Sequence, residues 1–159
     1  MDREASRLGE GPSARRMEPL DRDEALRLLS TVSLGRIVFT QHALPAVRPV
    51  NHLVEGENIV VRVHDGSALA SLLAPSGIPG VVVAYEADAI DPETHLGWSV
   101  VVTGYATPVA DPEEAQGYAR RLRPWVAQTM SRALRITPDL VTGFRLEADP
   151  PAPVTLCGS

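Results

Sequence analysis

Five short segments rich in β-branched residues, each closed off by turn-forming residues, constrain this 159-residue chain more than any other feature. They are Gly35–Thr40, Ala46–Val54, Asn58–Val63, Val81–Asp88 and Gly97–Val109. Val, Ile and Thr suit a pleated, half-buried surface, so runs of this length bounded by Gly, Pro and Asp read as strands. The breaks between them include Gln41–Pro45, Glu55–Glu57 and the polar turn Asp91–His95. Val81, Val82 and Val83 form an unbroken apolar run, which predicts cover on both faces. A last strand is expected over Asp139–Leu146. Because strands do not alternate with long helices, the pattern predicts a mainly β domain with short helices, an antiparallel barrel or sandwich. No Gly-rich turn follows the first strand, which argues against a Rossmann fold.

The helices are few and carry their own signals. Asp21 stands three positions before Glu24, with Ala25, Leu26, Leu28 and Leu29 following, so a capped helix is expected over Asp21–Ser30. Ser67–Leu73 has helical spacing and is ended by Pro75, Gly77, Pro79 and Gly80. Asp111, Pro112, Glu113 and Glu114 open a helix running to about Leu122, with proline at its first position and acids matching the dipole. A second short helical stretch is expected around Val126–Leu134. Residues 1–17 lack hydrophobic periodicity and are expected to be a disordered tail, ahead of an ordered domain over 18–147 and a flexible proline-rich tail over 148–159.

Charge and composition exclude several functions. A net charge of -5 and a pI near 5.3 oppose nonspecific nucleic-acid binding, which needs a basic surface. All fifteen basic residues are arginine, which removes lysine Schiff bases, lysine general bases and the P-loop lysine. The single cysteine, Cys157, permits neither an intrachain disulfide nor a cysteine metal cluster. His42, His52, His64 and His95 show no metal-ligand spacing. With no apolar run approaching the roughly 20 residues of a membrane span and no apolar signal segment, a cytoplasmic location is expected.

Two segments bring together groups suited to a phosphorylated planar ring: Arg48, Pro49, Val50, Asn51, then Arg62, Val63, His64, Asp65, Gly66, Ser67. The arginine fork fits phosphate, and Gly followed by Ser at a strand end lets N–H groups and a hydroxyl converge on an anion. Each has a plainer reading. Arg48 and Arg62 serve equally as surface strand arginines, and Ser67 as the N-cap of the helix starting at Ala68. Trp98 and Trp125 suit core or dimer anchoring. Glu86 and Asp88 alternate onto one strand face, where Arg36 or Arg48 could pair with them.

In order and spacing, the chain resembles the pyridoxamine 5'-phosphate oxidase-like, flavin-binding split β-barrel proteins. The matching parts are the first helix followed by Gly35, Arg36, Ile37, Val38; Arg48 to Asn51; Arg62 leading to Gly66 and Ser67; Ala84 to Asp88; and Gly97 to Gly104. The resemblance implies a split barrel forming a homodimer, with FMN, or in some relatives F420, at the subunit interface. It places Arg48, Pro49, Val50 and Asn51 at the ring, Arg62, Val63, Ser67 and Ala68 at the phosphate, and Trp98 and Ser99 on a strand that adds a contact from Ser99. The function implied is that of an FMN-dependent oxidoreductase of unstated substrate, with an F420-dependent reductase or a noncatalytic flavin-binding or storage protein as alternatives. Two departures stand out. Ala68 and Leu69 follow Gly-Ser where relatives carry Lys or Arg, and the tail Pro150–Pro153 lacks the Arg and His of the true oxidases, so pyridoxamine phosphate oxidation is not expected.

Overall fold

The computed structural model describes residues 15–64, 67–73, 80–122 and 132–150. Seven strands and three helices follow in the order β1 (Arg15–Pro19), α1 (Arg22–Leu29), β2 (Leu34–Gln41), β3 (Leu44–Glu55), β4 (Asn58–Val63), α2 (Ala68–Leu73), β5 (Val81–Ile90), β6 (Gly97–Pro108), α3 (Pro112–Arg121) and β7 (Arg132–Ala148). All strand pairs are antiparallel, and the sheet closes on itself through β7. β6 runs along one edge of β7, while β4 and β1 share the other. Between the barrel and sandwich alternatives, this closure decides for a barrel, which leaves few exposed edges. The closing strand bends where Gly104 meets Pro138 and Asp139 is passed over; a Cβ on Gly104 would lie 2.0 Å from the Thr137 carbonyl oxygen.

The main core fills the barrel with Ile37, Phe39, Ile59, Val61, Val83, Tyr85, Val100, Val102, Leu134 and Ile136. α1 adds Ala25, Leu26, Leu28 and Leu29 to it, and each buried Leu, Ile or Val stabilises the fold by about 1.5–3 kcal/mol. Asp21 caps α1 as expected, its carboxylate accepting from the Glu24 N–H at 2.8 Å. A second cluster forms outside the barrel wall, where Tyr118 of α3 and its C-cap residue Leu122 pack on Val60 and Ala133.

Several expectations need correcting. Arg15, Arg16 and Met17 fall within the expected N-terminal tail yet form β1, pairing with Leu146–Ala148. The last strand spans 17 residues rather than eight, and it takes in Arg132–Leu134, expected as helix; the rest of that helical stretch lies outside the described residues. Cover on both faces of Val81–Val83 does not hold: Val83 is 2% exposed, whereas Val82 is 59% exposed and faces outward. Successive strand residues point to opposite faces, and a run of three valines carries no phase.

Candidate functional site

The ladder between β3 and β4 pairs only His52–Glu55 with Asn58–Val61. Immediately before His52, β3 pairs with β2 instead, from Leu44 to Asn51. β3 therefore changes partner, and changes edge, between Asn51 and His52. Beyond that point no β3–β4 pairing continues among the described residues, leaving a gap in the hydrogen-bonded wall with Arg48–Asn51 on one strand and Arg62 and Val63 on the other. Arg48–Asn51 of the first sequence segment and Arg62–Val63 of the second thus border one opening in the ladder.

Their side chains divide between the faces of the wall. Arg48 and Val50 share the inward face with Ile37 and Gly35; Val50 packs on the core, and the Arg48 guanidinium lies 6.0 Å from the Phe39 ring centroid and donates to the Val47 carbonyl at 2.8 Å. Pro49 and Asn51 take the outward face with Arg36 and Leu34. On β4, Val63 is buried in the core, so only its backbone is open to a ligand. Arg62 faces outward beside α3, donating to the Leu122 carbonyl at 3.4 Å, and burial pulls its guanidinium below the usual arginine range. Among the described residues this one weak bond leaves most of the five guanidinium N–H donors for other partners. Ser67 begins α2 as expected: its Oγ accepts from the Ala70 N–H at 3.1 Å, and Ala68 is the first helical residue. Asp65 and Gly66 lie outside the described residues.

Trp98 and Ser99 also divide. Trp98 is in the core, the plainer of its two readings, while Ser99 faces outward between Asp88 and Phe144. Extending the β2–β5 register by two residues sets Asn51, Leu34, Asp88 and Ser99 in one lateral row, with Asn51 and Ser99 three strand spacings, roughly 14 Å, apart. The next row is Pro49, Arg36, Glu86, Val101 and Thr142. There Arg36 pairs with Glu86 at 3.5 Å and with Asp88 at 3.6 Å, as the alternation of the two acids suggested. Partial burial and the neighbouring Asp88 push the Glu86 carboxyl up to about 7. Around this polar island the same outward surface exposes Leu34, Val47, Val82, Tyr105, Leu140 and Phe144. Exposed apolar area rimming polar groups marks a binding or association surface.

A buried pair that no sequence pattern announces lies beside the opening. His52 is 2% exposed; its Nε2 lies 2.8 Å from the Leu29 carbonyl and its Nδ1 2.5 Å from the Tyr85 hydroxyl. A carbonyl only accepts, so Nε2 carries the proton and Nδ1 accepts from Tyr85. Burial lowers the imidazole pKa and raises that of the phenol, keeping both neutral.

A family model described as pyridoxamine 5'-phosphate oxidase matches residues 21–145. The chain belongs to this family. The uncharacterized protein Rv0080 of Mycobacterium tuberculosis is 50% identical over 148 residues, spanning 93% of this chain and 97% of that protein. Among solved structures, a candidate pyridoxamine 5'-phosphate oxidase of Corynebacterium glutamicum is 32% identical, with a TM-score of 0.66 over 80% of this chain and 91% of that one. The FAD-binding protein of Mycobacterium smegmatis is 29% identical, with a TM-score of 0.61 over 82% of this chain and 98% of that one. The mainly antiparallel barrel of this family member is the one its relatives share. Among the described residues no helix is long and apolar enough to cross a membrane.

Proposed function

We propose that this protein is a flavin-dependent oxidoreductase whose cofactor lies across the opening between β3 and β4. The observation that carries the reading is the end of the β3–β4 ladder at His52 and Val61, which sets Arg48–Asn51 and Arg62–Val63 on either side of one gap. The donor set fits a flavin nucleotide. Arg62 and Ser67 suit the phosphate, the backbone of Val50 and Asn51 suits the polar edge of the ring, and the apolar outward face suits its flat body, while Ser99, roughly 14 Å from Asn51, is too far to share that edge within one chain. The likeness to an FAD-binding protein supports a flavin without choosing its tail, so FMN, FAD and F420 all enter the test. When bound, the flavin supplies hydride or electron transfer; the chain's own work is to orient it and exclude water, and no side chain need act as a nucleophile.

A second copy completes the site in this reading. Leu34, Val47, Val82, Tyr105, Leu140 and Phe144 form an apolar surface suited to a homodimer partner, with the cofactor held between the subunits of a cytoplasmic enzyme. Family membership does not carry pyridoxamine phosphate oxidation with it, because activity belongs to the site rather than the fold. Ala68, standing where a cation is common, favours a second reading, a flavin-binding or storage protein without turnover.

The test is to incubate purified protein with FMN, FAD or F420, remove free cofactor by gel filtration, and record the visible spectrum. One cofactor is expected to stay bound and to be reduced by NAD(P)H or another hydride donor. Retention without turnover in any donor would favour storage, and colourless protein with all three would overturn the flavin reading.

A further inference from the structure

The His52–Tyr85 pair sits at the residue where β3 changes partner. His52 is the first β3 residue paired with β4, and its own N–H donates to the Ser33 carbonyl at 2.9 Å. Its Nε2–H donates to Leu29 at the C-terminal end of α1, where the last four helix carbonyls lack intrahelical partners. The Tyr85 hydroxyl reaches from β5 to His52 Nδ1 at 2.5 Å and stands 3.4 Å from the carbonyl oxygen of Val50. Gly35 leaves the room for it: a Cβ there would lie 2.3 Å from the phenol oxygen. Four elements, α1, β2, β3 and β5, thus meet on two polar side chains inside an otherwise apolar core. Such a network stabilises less than apolar packing of equal volume, yet a fully satisfied one fixes a single geometry. Both side chains are fully partnered.

We propose that Tyr85 and His52 are positioning residues that lock the partner switch of β3, and through it hold the backbone of Val50 and Asn51 at the edge of the cofactor opening. Their effect on the cofactor rests on the flavin reading above; the locking of the strand does not. Neither side chain need touch the ring.

Tyr85→Phe is the informative variant, because it deletes one oxygen and leaves the His52 bond to Leu29 in place. Amide hydrogen exchange without cofactor, at a temperature where the variant is fully folded, is expected to quicken at Val50–Leu53 and Gly35 while the β6–β7 ladder stays protected. His52→Gln, which keeps a donor for Leu29 and an acceptor for Tyr85, is expected to preserve that protection. His52→Leu, which removes both bonds, stands as the second arm should Tyr85→Phe fail to fold: wild-type protection at Val50–Leu53 in folded His52→Leu would overturn the proposal. Flavin affinity of Tyr85→Phe is expected to fall roughly tenfold, the effect of losing about one well-placed hydrogen bond, with a changed visible spectrum of the bound flavin. Unchanged exchange at Val50–Leu53 in Tyr85→Phe would overturn the proposal. If the wild-type protein takes up no flavin while exchange changes as stated, the flavin reading fails and the locked strand switch stands.

Discussion

Val83 and Val82 are neighbours with opposite duties. An aspartate at Val83 would bury an unpaired carboxylate in the core, a penalty of several kcal/mol or neutralisation of the group. Val83→Asp is therefore expected to abolish the cooperative thermal transition followed by circular dichroism. Val82→Asp, on the outward face, is expected to keep a cooperative melt, and loss of that melt would contradict the assigned strand faces. Glu86 supplies a pH signature. Its carboxyl is raised from its ordinary range to about 7 in the folded state, so the folded chain holds this proton more tightly than the unfolded chain. The resulting stability is fully present below about pH 4.5 and is lost as pH rises to about 7. Glu86→Gln is expected to flatten the fall in stability across that window; an unchanged slope would show that Glu86 does not hold the proton.

At the scale of elements, the β2–β3 hairpin is tightest at an unlikely pair of residues. Gln41 pairs with Leu44, leaving His42 and Ala43 as a two-residue turn with φ of 51° and 62°. Such turns favour Asn-Gly, because positive φ strains a residue bearing a Cβ. Ala43→Gly is expected to stabilise the domain by about 0.5–1 kcal/mol, read as a melting point higher by a few degrees. A lower melting point would mean the turn is not strained at Ala43. His-Ala carries no turn signature, which is why Gln41–Pro45 read only as a break. Elements whose signal is local were legible: Asp21 and Glu24 announce α1, Pro112 announces α3, and β4 falls where its β-branched run lies. The sequence pattern understates β7 because Pro138, which would interrupt an ordinary strand, sits at the bulge opposite Gly104. Of the site, the order of Arg48–Asn51 and Arg62 was legible. The meeting of His52 with Tyr85 was not, since it joins residues 33 apart through a fold that no local pattern encodes.

At the scale of the molecule, one broad sheet face carries both the polar row of Asn51, Asp88 and Ser99 and the apolar side chains that a partner subunit would cover. Leu140 is 58% exposed on that face. Leu140→Arg is expected to convert a dimer to a folded monomer by light scattering and to weaken cofactor retention with it; a wild-type monomer would remove the shared-site element of the proposal. The chemistry itself turns on whether the gap between β3 and β4 holds a flavin phosphate against Arg62. The most direct measurement is a fluorescence-quenching titration of FMN, FAD and F420 against wild-type protein and Arg62→Ala at a temperature where both are folded. Saturable binding by the wild type, weakened roughly tenfold or more in Arg62→Ala with little change in melting point, is expected from one lost charge-assisted contact. Equal affinity of the two proteins, or no quenching in either, would contradict the placement of the cofactor in this opening.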